Sequence, residues 1–286
     1  MLLQLPTPPH IHCFQTQADE LVTAAKNGFV VEVEALLQKP QDPNLTDAVG
    51  DSALAMAASE GHVEVVRILL EAGASKDLAD NDGITALLLA SEKGHVEVVH
   101  ILLEAGASKD LANNDGITAL LFASAEGHVE VARVLLEAGA SKDLADNDGS
   151  TALMFASAKG AVEVVRILLE TGAIKDLANN DGYTALMFAS DKGHVEVVRI
   201  LLEAGASKDL ANNDGFTALM LASADGRVEV VRILLEAGAS KDLVNNDGYT
   251  ALMLASADGR VEVARVLLEA CANRDFADND CFTAKL

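Results

Sequence analysis

Between Ile84 and Gly106 the chain carries two short apolar runs, each broken by polar residues and each closed by a glycine. In the first run Ala86, Leu87, Leu88, Leu89 and Ala90 follow Thr85 and precede Glu92, Lys93 and Gly94. This predicts a short helix, N-capped by Thr85, that runs to about Lys93 and ends as Gly94 takes the left-handed conformation. In the second, Val96, Val99, Leu102 and Leu103 fall at i, i+3, i+6 and i+7. That spacing predicts a helix with one apolar face, Glu97 and Glu104 pointing away from it and Gly106 closing it. Residues 107–116 have no helical period and end in the turn signal Asp115-Gly116, which predicts a projecting hairpin-like loop. Neither helix is long enough to persist in water alone, so each must bury its apolar face against neighbouring copies.

The copies exist. The glycine that precedes the x-Thr-Ala-Leu phrase, in which x is Ser150 in the copy after Gly149, recurs at Gly83, Gly116, Gly149, Gly182, Gly215 and Gly248, with 116 − 83 = 33 repeated at every step. A second column runs Gly28, Gly61, Gly94, Gly127, Gly160, Gly193, Gly226 and Gly259. A fixed period of this length marks a repeat array, with repeats beginning at 17, 50, 83, 116, 149, 182, 215 and 248. The expected organisation is a disordered tail over 1–16, a repeat domain over 17–280 whose degenerate first repeat is a polar cap, and a truncated ninth repeat over 281–286. The cap reading rests on Asp19, Glu20, Lys26, Glu32 and Glu34. At the other end Cys271 and Cys281 replace column glycines and Lys285 replaces the column leucine, so residues 248–280 are expected to have no covering helix pair. Such a face frays, self-associates, docks on a partner, or continues into a longer protein.

These residues resemble the ankyrin repeat family. Asp80, Gly83, Thr85, Leu87, Ala90, Gly94, His95, Val98, Val99, Leu102, Leu103, Gly106 and Ala107 fall on its pattern, and the other copies match nearly as well. The resemblance implies an all-α solenoid of stacked helix-turn-helix repeats with hairpin-like loops, used for binding proteins without catalysis. There are two departures. The family's Pro-Leu-His is Ala86, Leu87, Leu88 or Ala152, Leu153, Met154 here, so apolar packing has to replace the histidine's hydrogen bonds between repeats. The family's loop asparagine is Asp77, Asp110, Asp143, Asp176, Asp209 and Asp242, which makes the loop edge acidic.

Composition narrows the function. The chain is 50% hydrophobic but only 3% aromatic, so its layers must be thin and built from Ala, Leu, Val and Ile. A net charge of −23 repels nucleic acid and anionic lipid, keeps a hydrophobic protein soluble, and leaves a basic protein as the partner that charge would attract. Cys13, Cys271 and Cys281 give no disulfide framework, the proline-broken start is no signal peptide, and no apolar run reaches membrane-spanning length. A reducing compartment follows, cytoplasmic or nuclear. No cofactor or metal site is expected. Asp80, Asn81, Asp82 and Gly83 fail as a calcium loop because Leu78 and Leu89 would fall on its first and twelfth positions. His10, His12 and Cys13 lack a second ligand pair for zinc. His62, His95, His128 and His194 share one column after the turn glycine and read as structural, with no nucleophile among them.

Columns that vary between copies are free of the frame and are the candidate binding positions. The loop residue between glycine and threonine reads Ile84, Ile117, Ser150, Tyr183, Phe216, Tyr249 and Phe282, an edge that becomes aromatic along the chain. Two readings stand, partner anchors or packing of each loop on its neighbour. The residue before the turn glycine reads Glu60, Lys93, Glu126, Lys159, Lys192, Asp225 and Asp258, changing sign from copy to copy. The histidine column beside it changes to Ala161, Arg227 and Arg260, which gives a mixed charge pattern on the expected concave face. Phe122, Phe155 and Phe188 are assigned to packing between repeats. In the resembling family the loop position and the end of the first helix contact partners. The expected function is a non-catalytic scaffold that binds a protein or peptide. The alternative is a targeting or regulatory segment of a larger enzyme, channel or ubiquitin ligase.

Overall fold

The computed structural model describes residues 9–39 and 42–272, and the side chains of 18–39 and 42–270. It divides into two compact units, Met1–Ser141 and Lys142–Leu286. Among the described residues there are sixteen helices and no strand. The first unit holds α1 (Pro9–Lys26), α2 (Val30–Leu37), α3 (Ala53–Ser59), α4 (Val63–Glu71), α5 (Ala86–Lys93), α6 (Val96–Glu104), α7 (Ala119–Glu126) and α8 (Val129–Glu137). The second holds α9 (Ala152–Lys159), α10 (Val162–Glu170), α11 (Ala185–Lys192), α12 (Val195–Glu203), α13 (Ala218–Ala224), α14 (Val228–Glu236), α15 (Ala251–Ala257) and α16 (Val261–Ala272). Odd-numbered helices pack on odd and even on even within each unit, and each odd helix packs on the even helix that follows it. α1 begins at Pro9, not at position 17, with proline at the first helical position, where a missing N–H costs no bond.

The local signals act as the pattern predicts. Thr85 is extended and its hydroxyl accepts from Leu88 N–H, while Gly94 closes α5 at φ +78°. At the end of α6, Gly106 donates to Leu103 C=O and Ala107 to Leu102 C=O, so the last carbonyls are satisfied by a left-handed glycine cap. The loops then return to the next threonine, with a bridge between Ala112 and Thr118 at the base and its equivalents at Ala178–Thr184 and Ala211–Thr217.

One expectation about the second helix is corrected. Val98, Val99, Ile101 and Leu102 are the buried residues of α6, whereas Val96 is 37% exposed and Leu103 half-buried. The helix packs on α5 and also on α4 and α8, so its inward arc takes two adjacent pairs one turn apart rather than a narrow i, i+3 stripe. Leu88 and Leu121, Met154 and Met187, standing where the family has histidine, are at most 2% exposed, so apolar packing does fill that position. The same core contains an oddity. Ser91, Ser124, Ser157, Ser190 and Ser223 are buried on the first helices and their hydroxyls have no hydrogen-bond partner, whereas Ala58 occupies that column in α3.

Candidate functional site

The loop edge is assembled from three nested sets of hydrogen bonds. Within a loop, the Asn179 carboxamide oxygen accepts from Asp181 N–H at 3.2 Å and Tyr183 N–H at 2.8 Å, and Asn212 does the same for Asp214 and Phe216. Asp80 and Asn113 fix Ile84 and Ile117 in the first unit in the same way. Between loops, Asn213 Nδ2 donates to Asn180 C=O and Asn246 Nδ2 to Asn213 C=O, both at 2.9 Å. The third set uses the aspartates that departed from the family pattern. Asp176 accepts from Ser207 N–H at 2.8 Å and from its hydroxyl at 2.7 Å, and Asp77 and Asp110 hold Ser108 and Ser141 likewise. The acidic loop edge is therefore partly spent on joining one loop to the next.

This frame holds the variable column at a fixed backbone position once per repeat. Ile84 and Ile117 in the first unit, and Tyr183 and Phe216 in the second, are half-buried, while Tyr249 is 47% exposed. The Tyr183 ring lies against Phe188 of α11, centroids 5.3 Å apart and tilted by 33°, so this side chain both packs and presents a surface. Phe282 lies outside the described residues.

The sign-changing column is exposed at every position, Glu60, Lys93 and Glu126 in the first unit and Lys159, Lys192, Asp225 and Asp258 in the second. Several of these charges have local partners. Lys93 lies 3.3 Å from Glu92, Lys192 2.9 Å from Asp191, and Asp225 3.3 Å from the Arg227 guanidinium. The hydrogen bond and charge of Asp191 hold the Lys192 ammonium above the usual lysine range.

The neighbouring histidine column is structural, as its recurrence after the turn glycine at positions 62, 95, 128 and 194 implies. His62, His95 and His128 donate from Nε2 to the carbonyls of Lys26, Ser59 and Glu92, and His194 to that of Ala158, all at 2.9 Å. These carbonyls end the preceding repeat's first helix and would otherwise lack a partner. Arg227 and Arg260, expected to add to a charge pattern, do the same work with Nε, donating to Asp191 C=O at 3.0 Å and Ala224 C=O at 2.8 Å.

One surface feature escaped the comparison of varying columns. Leu111 in the first unit, and Leu144, Leu210 and Leu243 in the second, are exposed on the loops to about two fifths of their area. Their signal was present as a leucine at every 33rd position of an otherwise polar loop. It was hidden because an unvarying column reads as frame.

Among the described residues no group of three or more His, Cys, Asp or Glu could hold a metal ion, and no helix is long and apolar enough to cross a membrane. Paired short helices, glycine-capped and joined by hydrogen-bonded loops, define a helical-repeat protein whose variable side chains stand on the loops. The model of ankyrin repeats in groups of three matches residues 21–113, 73–146, 105–179, 139–212, 171–245 and 204–280, and the chain belongs to the ankyrin repeat family. No curated protein matches the chain significantly. Ankyrin repeats are in general protein-interaction modules.

Proposed function

We propose that this chain is a non-catalytic scaffold that binds a protein or peptide through its loop edge and the adjoining ends of its first helices. The observation that carries the reading is the variable column, in which side-chain identity changes at Ile84, Ile117, Tyr183, Phe216 and Tyr249 while the backbone beneath is fixed by the same Asx hydrogen bonds. Packing alone would not demand different side chains on one repeated backbone. The charges at Glu60, Lys93, Glu126, Lys159, Lys192, Asp225 and Asp258 lie at the first-helix ends and add selectivity. A basic partner is favoured, because Asp181, Asp214 and Asp247 are exposed two residues before the aromatic positions and the chain carries a net charge of −23. The reading includes a reducing compartment, cytoplasm or nucleus, as the default for a chain whose three cysteines form no C-x-x-C pair and suggest no disulfide framework.

The test replaces Tyr183, Phe216 and Tyr249 together by Ala and compares the proteins held by the immobilised chain before and after. Loss of specific partners with an unchanged helical circular dichroism spectrum is the expected result. Retention of every partner by a folded triple variant would reject the loop edge as the interface.

A further inference from the structure

In the second unit, Leu144, Leu177 and Leu210 each stand one residue before the bridge that closes a loop hairpin, at Ala145–Thr151, Ala178–Thr184 and Ala211–Thr217. Leu144 and Leu210 are about two fifths exposed and Leu177 is half-buried. The frame leucines of the same repeats, Leu153, Leu186 and Leu219, are 1% exposed. Once per repeat, therefore, the loops hold apolar surface in water that packing within the fold does not use.

Asp148, Asp181 and Asp214 lie at the tips of the same hairpins and are exposed. Their backbone carbonyls accept from the N–H groups of Asn180, Asn213 and Asn246 in the next loop, at 2.9, 3.0 and 3.0 Å, so each tip is tied to the next at a fixed interval. Their carboxylates are not spent in this way. The cations of the unit pair elsewhere, Lys142 with Asp143, Arg166 with Glu196, Lys192 with Asp191 and Arg227 with Asp225, and among the described residues no ion pair reaches the three tips. Two rows result, leucines at the hairpin bases and carboxylates at the tips, each recurring at the helix-packing distance of about 10 Å.

Taking the loop edge as the interface, on which this step rests, we infer that the partner meets the second unit with a basic segment in the polyproline II conformation. In that segment one bulky apolar and one cationic side chain recur every third residue. The leucine row takes the apolar side chains and the tip carboxylates take the cations. The period follows from lengths. Polyproline II has three residues per turn and rises about 3.1 Å per residue, so every third side chain returns to the same side after about 9 Å, close to the repeat spacing. Two of its three sides serve the two rows and the third stays in water. A β-strand alternates its faces and turns every third side chain away. An α-helix returns the same side after seven residues, about 10.5 Å, but on a single row of projecting loops it buries too little of its surface to be held together. Polyproline II needs no internal hydrogen bonds and keeps its backbone solvated, as a segment lying across loop tips must. Charge sets the sign of the partner, because the tips hold unpaired carboxylates on a chain of net charge −23.

The test titrates the full-length chain into two fluorescein-labelled peptides and follows anisotropy. One is Leu-Lys-Pro repeated four times. The other is Leu-Lys-Pro-Gly repeated four times, with the same leucines and lysines on a longer step. Saturable binding of the first is expected, with the second at least about tenfold weaker because its contacts cannot all be made at once. Leu144→Ser with Leu210→Ser, and Asp181→Asn with Asp214→Asn, each weaken binding of the first peptide several-fold with an unchanged circular dichroism spectrum, whereas Glu203→Gln with Glu236→Gln, which removes the same charge elsewhere, does not. Equal binding of the two peptides overturns the inference, and leaves the loop edge standing if the loop variants still weaken both. Binding that no loop variant changes overturns the inference and counts against the loop edge as well. No binding of either peptide overturns the inference alone, since the capture experiment with Tyr183, Phe216 and Tyr249 replaced judges the loop edge separately. Binding by a helical peptide with Leu and Lys at every seventh position, in place of the Leu-Lys-Pro peptide, would make a helix the occupant and also overturn it.

Discussion

At the scale of single residues, the serines buried on the first helices are the clearest departure from a well-satisfied core. A hydroxyl without a partner in that setting is a cost that alanine avoids, and alanine also has the higher helix propensity. Ser157→Ala is expected to raise stability by roughly 1 kcal/mol in urea denaturation, and Ser190→Ala by a similar amount. A decrease for both would show that the hydroxyls are satisfied in solution. Gly160→Ala acts in the opposite direction, because φ is +78° and the added methyl would meet the His194 ring at 2.6 Å. A loss of more than about 1 kcal/mol is expected in the same measurement. Asp51 adds a pH dependence. Burial, and after it the charges of Asp47 and Asp80, raise its pKa above the ordinary aspartate value. The folded state therefore holds this proton more tightly than the unfolded one, so the carboxylate opposes folding above its folded pKa and ceases to do so below the unfolded value. Asp51→Asn should raise the melting temperature at pH 7, with the gain shrinking as the pH falls through the acid range. A gain of the same size at every pH would exclude this cause.

At the scale of helices and loops, much was legible because the deciding signals are local. Thr85 as N-cap, Gly94 and Gly106 as stops, and Asp-Gly in the loops act within a few residues of themselves, so one copy of the pattern shows them and 33-residue spacing repeats them. The inward face of the second helix was less legible, because Val98 and Ile101 are buried by neighbouring helices whose approach no single repeat records. The roles of the charged columns were hidden for the same reason. Asp176 reads as an acidic surface residue until Ser207, 31 residues on, is seen to donate to it twice. Arg227 likewise reads as surface charge until its Nε is seen on the Asp191 carbonyl. Both are contacts between repeats. Asp176→Ala should cost about 1 kcal/mol in chemical denaturation and speed hydrogen exchange at Ser207, since two bonds to one partly exposed carboxylate are lost. Unchanged exchange at Ser207 would show that the loop-to-loop bond contributes nothing in solution.

At the scale of the molecule, the sequence establishes membership of the ankyrin repeat family and the repeat frame, whereas the proposed binding role rests on side chains that the frame leaves free. The aromatic positions were legible as the places where near-identical copies differ. The exposed leucines at 111, 144, 210 and 243 were not, since burial rather than identity sets them apart from core leucines. A net charge of −23 and the exposed aspartates beside the aromatic positions imply that partner affinity falls as ionic strength rises from about 0.05 to 0.3 M, over which screening shortens from beyond 10 Å to about 6 Å. Affinity independent of salt would remove the basic partner. The most direct test of the central claim is site-specific photo-crosslinking, with a benzophenone side chain placed in turn at Tyr183, Phe216, Glu203 and Glu236. The account predicts a crosslinked partner from the two loop positions and none from Glu203 or Glu236 at the ends of the second helices. Crosslinks to the same partner from the second-helix positions alone would contradict it.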